Sequence, residues 1–98
     1  VKEAGIDKKC REATLLRGGM LLRLRPPPQG VPDRLLLMPG GHVVFVEFKT
    51  ATGRVWPGQR DFLQALSGMR VPWRVVRSVD EFTALLDQLE RVHLEDVA

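Results

Sequence analysis

The sequence predicts an α/β fold in the order α-β-β-β-α-β-α, with a mixed central sheet flanked by helices. Three observations carry that expectation. Apolar residues recur at helical spacing near both ends of the chain. Three β-prone segments follow the first helix, separated by Gly18-Gly19, a proline loop and Pro39-Gly40-Gly41. A further helix opened by Pro57 then leads into one more β-prone segment.

Each element has a local reason. Over residues 2–17, Ile6, Cys10, Ala13 and Leu16 share helical spacing with no proline between them, and Gly18-Gly19 supplies a helix C-cap. Met20–Arg25 alternates loosely and reads as a strand. Pro26-Pro27-Pro28 enforces an extended loop that Gly30-Val31-Pro32 continues. Asp33–Met38 is a short apolar strand, Pro39-Gly40-Gly41 is turn chemistry, and His42–Lys49 is strongly β-prone. The nearly continuous apolar run Val43-Val44-Phe45-Val46 implies a strand buried on both faces. Thr50–Trp56 forms a loop around Gly53. Pro57 suits a first helical turn, and that helix runs to about Met69 with Leu63 and Leu66 facing the core. Val71–Arg77 is another strand. Ser78 is an N-cap with Glu81 completing a capping box, and the last helix runs to about His93 with Phe82, Leu85, Leu86 and Leu89 on one face.

At 98 residues the chain is expected to form a single domain spanning 1–98 with a modest core. No apolar run is long enough to span a bilayer, and the N-terminal stretch lacks the layout of a signal peptide. A lone cysteine, Cys10, permits no intrachain disulfide and no thiolate zinc cluster, which fits a reducing, cytoplasmic setting. His42 and His93 match no metal-ligand spacing. Charge is unevenly spread: residues 1–79 carry 14 basic and 6 acidic side chains, whereas residues 80–98 carry 1 and 6. A basic body suits a polyanionic partner, although solubility alone accounts for it equally well.

The chemistry concentrates around Asp33 and Glu47-Phe48-Lys49. Side chains alternate along a strand, so Glu47 and Lys49 share a face and Phe48 points away. If Pro39-Gly40-Gly41 is a three-residue loop, Met38 sits opposite His42 and Asp33 opposite Glu47, with Cβ atoms ~5 Å apart. A one-residue slip would destroy that pairing. Two carboxylates so close repel unless a cation lies between them. Oxygen donors with open water positions suit Mg²⁺ or Mn²⁺, which would polarise a phosphodiester and activate a water. Lys49 could orient that water or stabilise charge growing on phosphorus. A solvated Glu–Lys pair at a strand end is the simpler reading of a bare E-x-K. The Pro-Asp before the preceding strand makes the pattern much more specific.

Other residues are weaker alone. Glu3 and Asp7 share a helix face and could offer a further carboxylate to a metal. An ordinary acidic first turn explains them as well. Gln59 and Arg60 open a helix whose N–H groups favour anions. Arg54 and Trp56 could meet a nucleic-acid backbone, and Trp56 could equally be a packing residue. Arg23, Arg25 and Arg34 surround the proline loop as candidate phosphate contacts, which position a duplex without reading its sequence. Gly40-Gly41 lacks the Gly-Lys-Ser/Thr of a P-loop.

Taken together, Glu3-x-x-Ile6, Gly18-Gly19, Gly30-Val31-Pro32-Asp33-Arg34, Pro39-Gly40-Gly41, Val44-Phe45-Val46-Glu47-Phe48-Lys49, Thr52-Gly53-Arg54, Gln59 and Val75-Val76-Arg77-Ser78 resemble the virus-type replication-repair nuclease (VRR-NUC) family. That family lies within the PD-(D/E)xK, restriction-endonuclease-like nucleases. The resemblance runs from Glu3 to about Glu81. It implies an endonuclease using Mg²⁺ or Mn²⁺, with Asp33 and Glu47 as metal ligands, the Phe48 carbonyl as a further ligand and Lys49 as the catalytic lysine. Glu3 matches the family's helix carboxylate and Gln59 its supporting glutamine. Stand-alone members resemble homodimeric Holliday-junction resolvases, so branched DNA and a second copy of the chain are the implied partners. Asp7 stands where Glu or Gln is commoner, which shortens its reach toward the metal, and Arg23 stands where Lys is common. The competing expectations are a DNA-binding module with a vestigial site and a sequence-specific restriction-type endonuclease.

Overall fold

In the computed structural model, the described residues are 3–24 and 30–97, with side chains described for 5–24 and 30–94. The elements are α1 (Glu3–Leu16), β1 (Met20–Arg23), β2 (Arg34–Met38), β3 (His42–Phe48), α2 (Pro57–Gly68), β4 (Trp73–Val76) and α3 (Val79–Val97). The sequence order α-β-β-β-α-β-α is therefore the observed one. Arg25 and the proline run 26–28 lie outside the described residues.

The four strands form one mixed sheet in the order β1-β2-β3-β4. β1–β2 and β2–β3 are antiparallel, and β3–β4 is parallel, with α2 as the crossover between them. One face of the sheet carries the main core. Ile6 and Cys10 from α1 and Phe82, Leu85 and Leu86 from α3 close over Leu36, Met38, Val44, Val46, Phe48 and Val76. The opposite face takes α2, which buries Leu63 and Leu66 and sets Phe62 edge-on to Phe45, ring centroids 6.1 Å apart.

Local chemistry explains the joints. Gly18 adopts φ 80°, and the Gly18 and Gly19 amides donate to the Leu15 and Thr14 carbonyls, closing α1. Any Cβ on Gly19 would stand 2.5 Å from the Leu37 carbonyl oxygen, so only glycine lets α1 turn this tightly into the sheet. At the start of α3 the Glu81 amide donates to Ser78 Oγ, and Glu81 Oε2 accepts from the Arg77 amide, one residue earlier than an ordinary capping box.

Two expectations are corrected here. Leu16 is 88% exposed, and Thr14 occupies the inner face instead, its Oγ1 satisfied by the Cys10 carbonyl at 2.7 Å. β3 is not buried on both faces throughout: Val44, Val46 and Phe48 are buried, but Val43 is 45% exposed because α2 packs farther along the strand.

Candidate active site

The β2–β3 ladder pairs Met38 with His42 and runs to Arg34 with Val46. Pro39-Gly40-Gly41 is thus the three-residue turn between the strands, and the pairing ends at Arg34, which leaves Asp33 just beyond the ladder and Glu47 one residue past its last rung. On the other side of β3, Glu47 pairs with Val75 of β4. Residues alternate between faces along a strand, so Glu47 and Lys49 lie on the α2 side of the sheet, while Asp33, just beyond the end of β2, turns its carboxylate to Arg34.

Glu47 is buried to 9% exposure, an unusual position for a carboxylate. Its Oε2 lies 3.3 Å from Lys49 Nζ, and both side chains are largely withdrawn from water. A pair this sheltered is not the solvated ion pair that a bare E-x-K suggests. The Lys49 amide donates to the Val76 carbonyl, which carries the parallel pairing one residue past β3. Beyond it, the Arg77 guanidinium donates to the Thr50 and Gly53 carbonyls at 2.8 and 2.5 Å, pinning the loop that follows Lys49. Nothing local to Arg77 signals this role, since its partners lie more than twenty residues away.

The donor set fits a hard divalent cation. Phe48 points its ring into the core against Phe82. Because β3 turns the amides of its odd-numbered residues toward β4, the Phe48 peptide groups face β2. Carboxylates and a peptide carbonyl are the kind of oxygen ligands that Mg²⁺ or Mn²⁺ takes alongside several waters. Among the described residues no three acidic, histidine or cysteine side chains cluster as a metal site. The side chain of Glu3, the further carboxylate expected at a metal, lies outside those described.

Gln59 is buried in the first turn of α2, and its Oε1 has no hydrogen-bond donor among the described residues. A buried acceptor left open in this way calls for a water or ligand donor. Gly30, at φ 85°, packs so closely on the first turn of α2 that a Cβ there would lie 2.8 Å from the Gly58 carbonyl oxygen. That contact sets the segment entering Asp33 against the helix end that carries Gln59.

Arg23, Arg54 and Arg60 are exposed, as phosphate contacts require. Arg34 is a correction. It is only 3% exposed and cannot reach a duplex. Its Nε donates to Asp7 Oδ1 at 2.7 Å, and its NH1 lies 2.5 Å from Asp33 Oδ2. The NH1 contact is a close ion pair without hydrogen-bond alignment. Burial opposes the charge on Arg34, but the contacts with Asp7 and Asp33 outweigh it and raise its pKa above the usual arginine value. Asp7 is therefore directed to Arg34. Cys10, buried and near Asp7, has its thiol pushed up to about 11, mainly by desolvation, and is no nucleophile.

A four-stranded mixed sheet flanked by helices in the order α-β-β-β-α-β-α is the fold of a nuclease-type α/β domain. The VRR-NUC domain family matches residues 6–80, and the chain belongs to it. A solved structure described as a VRR_NUC domain is similar at 25% identity and TM-score 0.74, covering 87% of this chain and 94% of that chain. Comparison with curated proteins finds no match.

Proposed function

We propose that this domain is a metal-dependent, structure-selective DNA endonuclease that hydrolyses phosphodiester bonds in branched DNA, in the manner of a Holliday-junction resolvase, and works as a homodimer. The observation that carries this reading is the sheltered Glu47–Lys49 pair, 3.3 Å apart at the end of β3, with Asp33 immediately beyond the neighbouring end of β2. Asp33, Glu47 and the Phe48 carbonyl would hold Mg²⁺ or Mn²⁺, with Glu3 as a further donor. When bound, such an ion supplies Lewis-acid activation of the phosphate and a more acidic water.

The protein's own groups then have distinct tasks. The Lys49 ammonium, sheltered beside Glu47, orients the attacking water and offers positive charge to the phosphoryl oxygens as they gain negative charge. Gln59 Oε1 accepts a hydrogen bond from a water in the site. Arg54 and Arg60, exposed around the start of α2, hold the DNA backbone near the scissile bond, and Arg23 extends that contact along β1. Contacts of this kind position a duplex by shape, and two sites in a dimer would cut opposed strands.

The test is a panel of four-way junction, flap, fork and linear duplex substrates incubated with the purified chain and Mg²⁺ or Mn²⁺. It is run beside a measurement of oligomeric mass. Paired cuts in the junction by a species of twice the chain mass are expected. An intact junction with either metal would overturn the reading. Cutting confined to particular linear sequences would point to a restriction-type enzyme.

A further inference from the structure

Arg34 is the least exposed charged residue among the described side chains, and nothing in the proposed chemistry uses it directly. Its guanidinium sits where three segments meet. Asp7 approaches from α1 at 2.7 Å and Asp33 from the start of β2 at 2.5 Å. The Phe48 ring lies under its Cζ, 5.4 Å from the centroid. Phe48 is the residue between Glu47 and Lys49, so a single side chain touches both strands that carry the site. An arginine is suited to this place because its planar fork can hold two carboxylates in fixed directions while stacking on an aromatic face.

Resting on the metal-dependent reading above, we infer that Arg34, clamped by Asp7, is a positioning residue for Asp33. It takes Oδ2 and leaves Oδ1 as the oxygen presented to the divalent cation. Asp7 acts through Arg34 and sets the strength of cation binding without touching the ion. Charge balance gives the reason. Arg34 facing Asp33 alone would neutralise it, and Lys49 already offsets Glu47. Asp7 restores a single net negative charge to these five sheltered side chains; Arg11, 53% exposed and 4.0 Å from Asp7 Oδ2, is screened by water and offsets little of it. A divalent cation needs that surplus, because it must enter between two groups that already have cationic partners.

This arrangement separates Asp7 from a purely architectural residue. Asp7→Asn keeps the shape and the acceptor Oδ1 but removes the surplus charge. Mn²⁺ affinity of the intact chain, read by titration with electron paramagnetic resonance, should then weaken about tenfold, as loss of a partner behind a metal ligand commonly does. Arg34→Lys keeps the charge but lacks the fork. It should lower kcat on a junction substrate while leaving KM for DNA unchanged, since Arg34 is shielded from DNA. Circular dichroism and thermal melting of both variants establish that they fold.

Wild-type affinity for Mn²⁺ in a folded Asp7→Asn variant would overturn the inference and leave the metal site standing. A loss of melting temperature without change in Mn²⁺ affinity would do the same, showing an architectural pair only. Absence of Mn²⁺ binding by the wild-type chain would overturn the metal site and this inference together.

Discussion

At its turn, the β2–β3 hairpin leaves Val43 45% exposed and carries no charge on that face of β3. Two rungs farther along, the same face of β3 buries Glu47 to 9% exposure. The core face behind them is uniform: Val44, Val46 and Phe48 are all buried. Apolar burial along that face and the three-residue turn fix the register between them. The register in turn decides which residues meet at the open end. Packing thus specifies the frame everywhere, while charge is concentrated where the frame ends and neighbouring elements close over it. Arg34, Asp7 and the Arg77-pinned loop gather at that end, and no comparable ionic contacts surround Val43 among the described residues.

This contrast can be broken from either end. Glu47→Gln removes charge while keeping shape, and should lower the single-turnover cleavage rate by roughly 10³-fold, measured on a labelled junction. Arg77→Gln should release the Thr50–Gly53 loop. The resulting misplacement of Lys49 is expected to cost roughly 10- to 100-fold in kcat, with little change in DNA affinity by fluorescence anisotropy. Val46→Ala, in the fully buried middle of β3, should destabilise the fold by about 2–3 kcal/mol through the cavity it leaves. The shift would be read from urea unfolding. Gly40→Ala should cost about 1–2 kcal/mol, because φ is 95° and the new Cβ would lie 2.6 Å from His93 Nδ1. Gly41→Ala, strained only by its φ of 80°, should cost less. Val43→Ala should stay within about 0.5 kcal/mol of wild type. A Val43→Ala loss as large as that at Val46 would contradict the difference between the two ends.

Much of the frame could be read from the chain because its signals are local. Gly18-Gly19 and Pro39-Gly40-Gly41 mark their turns by residue type, Ser78 and Glu81 mark a helix start, and the turn length yields the pairing of Met38 with His42. Leu16 reads as inward from sequence because a four-residue apolar stripe does not show which of its ends drifts off the buried face. Thr14 hid its inward position because its hydroxyl is satisfied within α1. Val43 was misassigned because an apolar run says nothing of how far a covering helix extends. Arg34 beside a proline loop reads as a surface cation, and only the fold brings Asp7, 27 residues earlier, against it. Glu47 and Lys49 share a face by strand alternation alone, and the turn length leads the β2–β3 ladder to Arg34, next to Asp33.

The most direct test of the central claim is single-turnover cleavage of a four-way junction with Mn²⁺, comparing wild type with Asp33→Ala and Lys49→Ala, with DNA binding measured in parallel. Asp33 and Lys49 are assigned to hydrolysis and not to holding DNA. Both variants should therefore bind the junction with wild-type affinity and lose cleavage by about 10³-fold or more. Cleavage by either variant at the wild-type rate would contradict the assignment of this strand-end pair as the hydrolytic site.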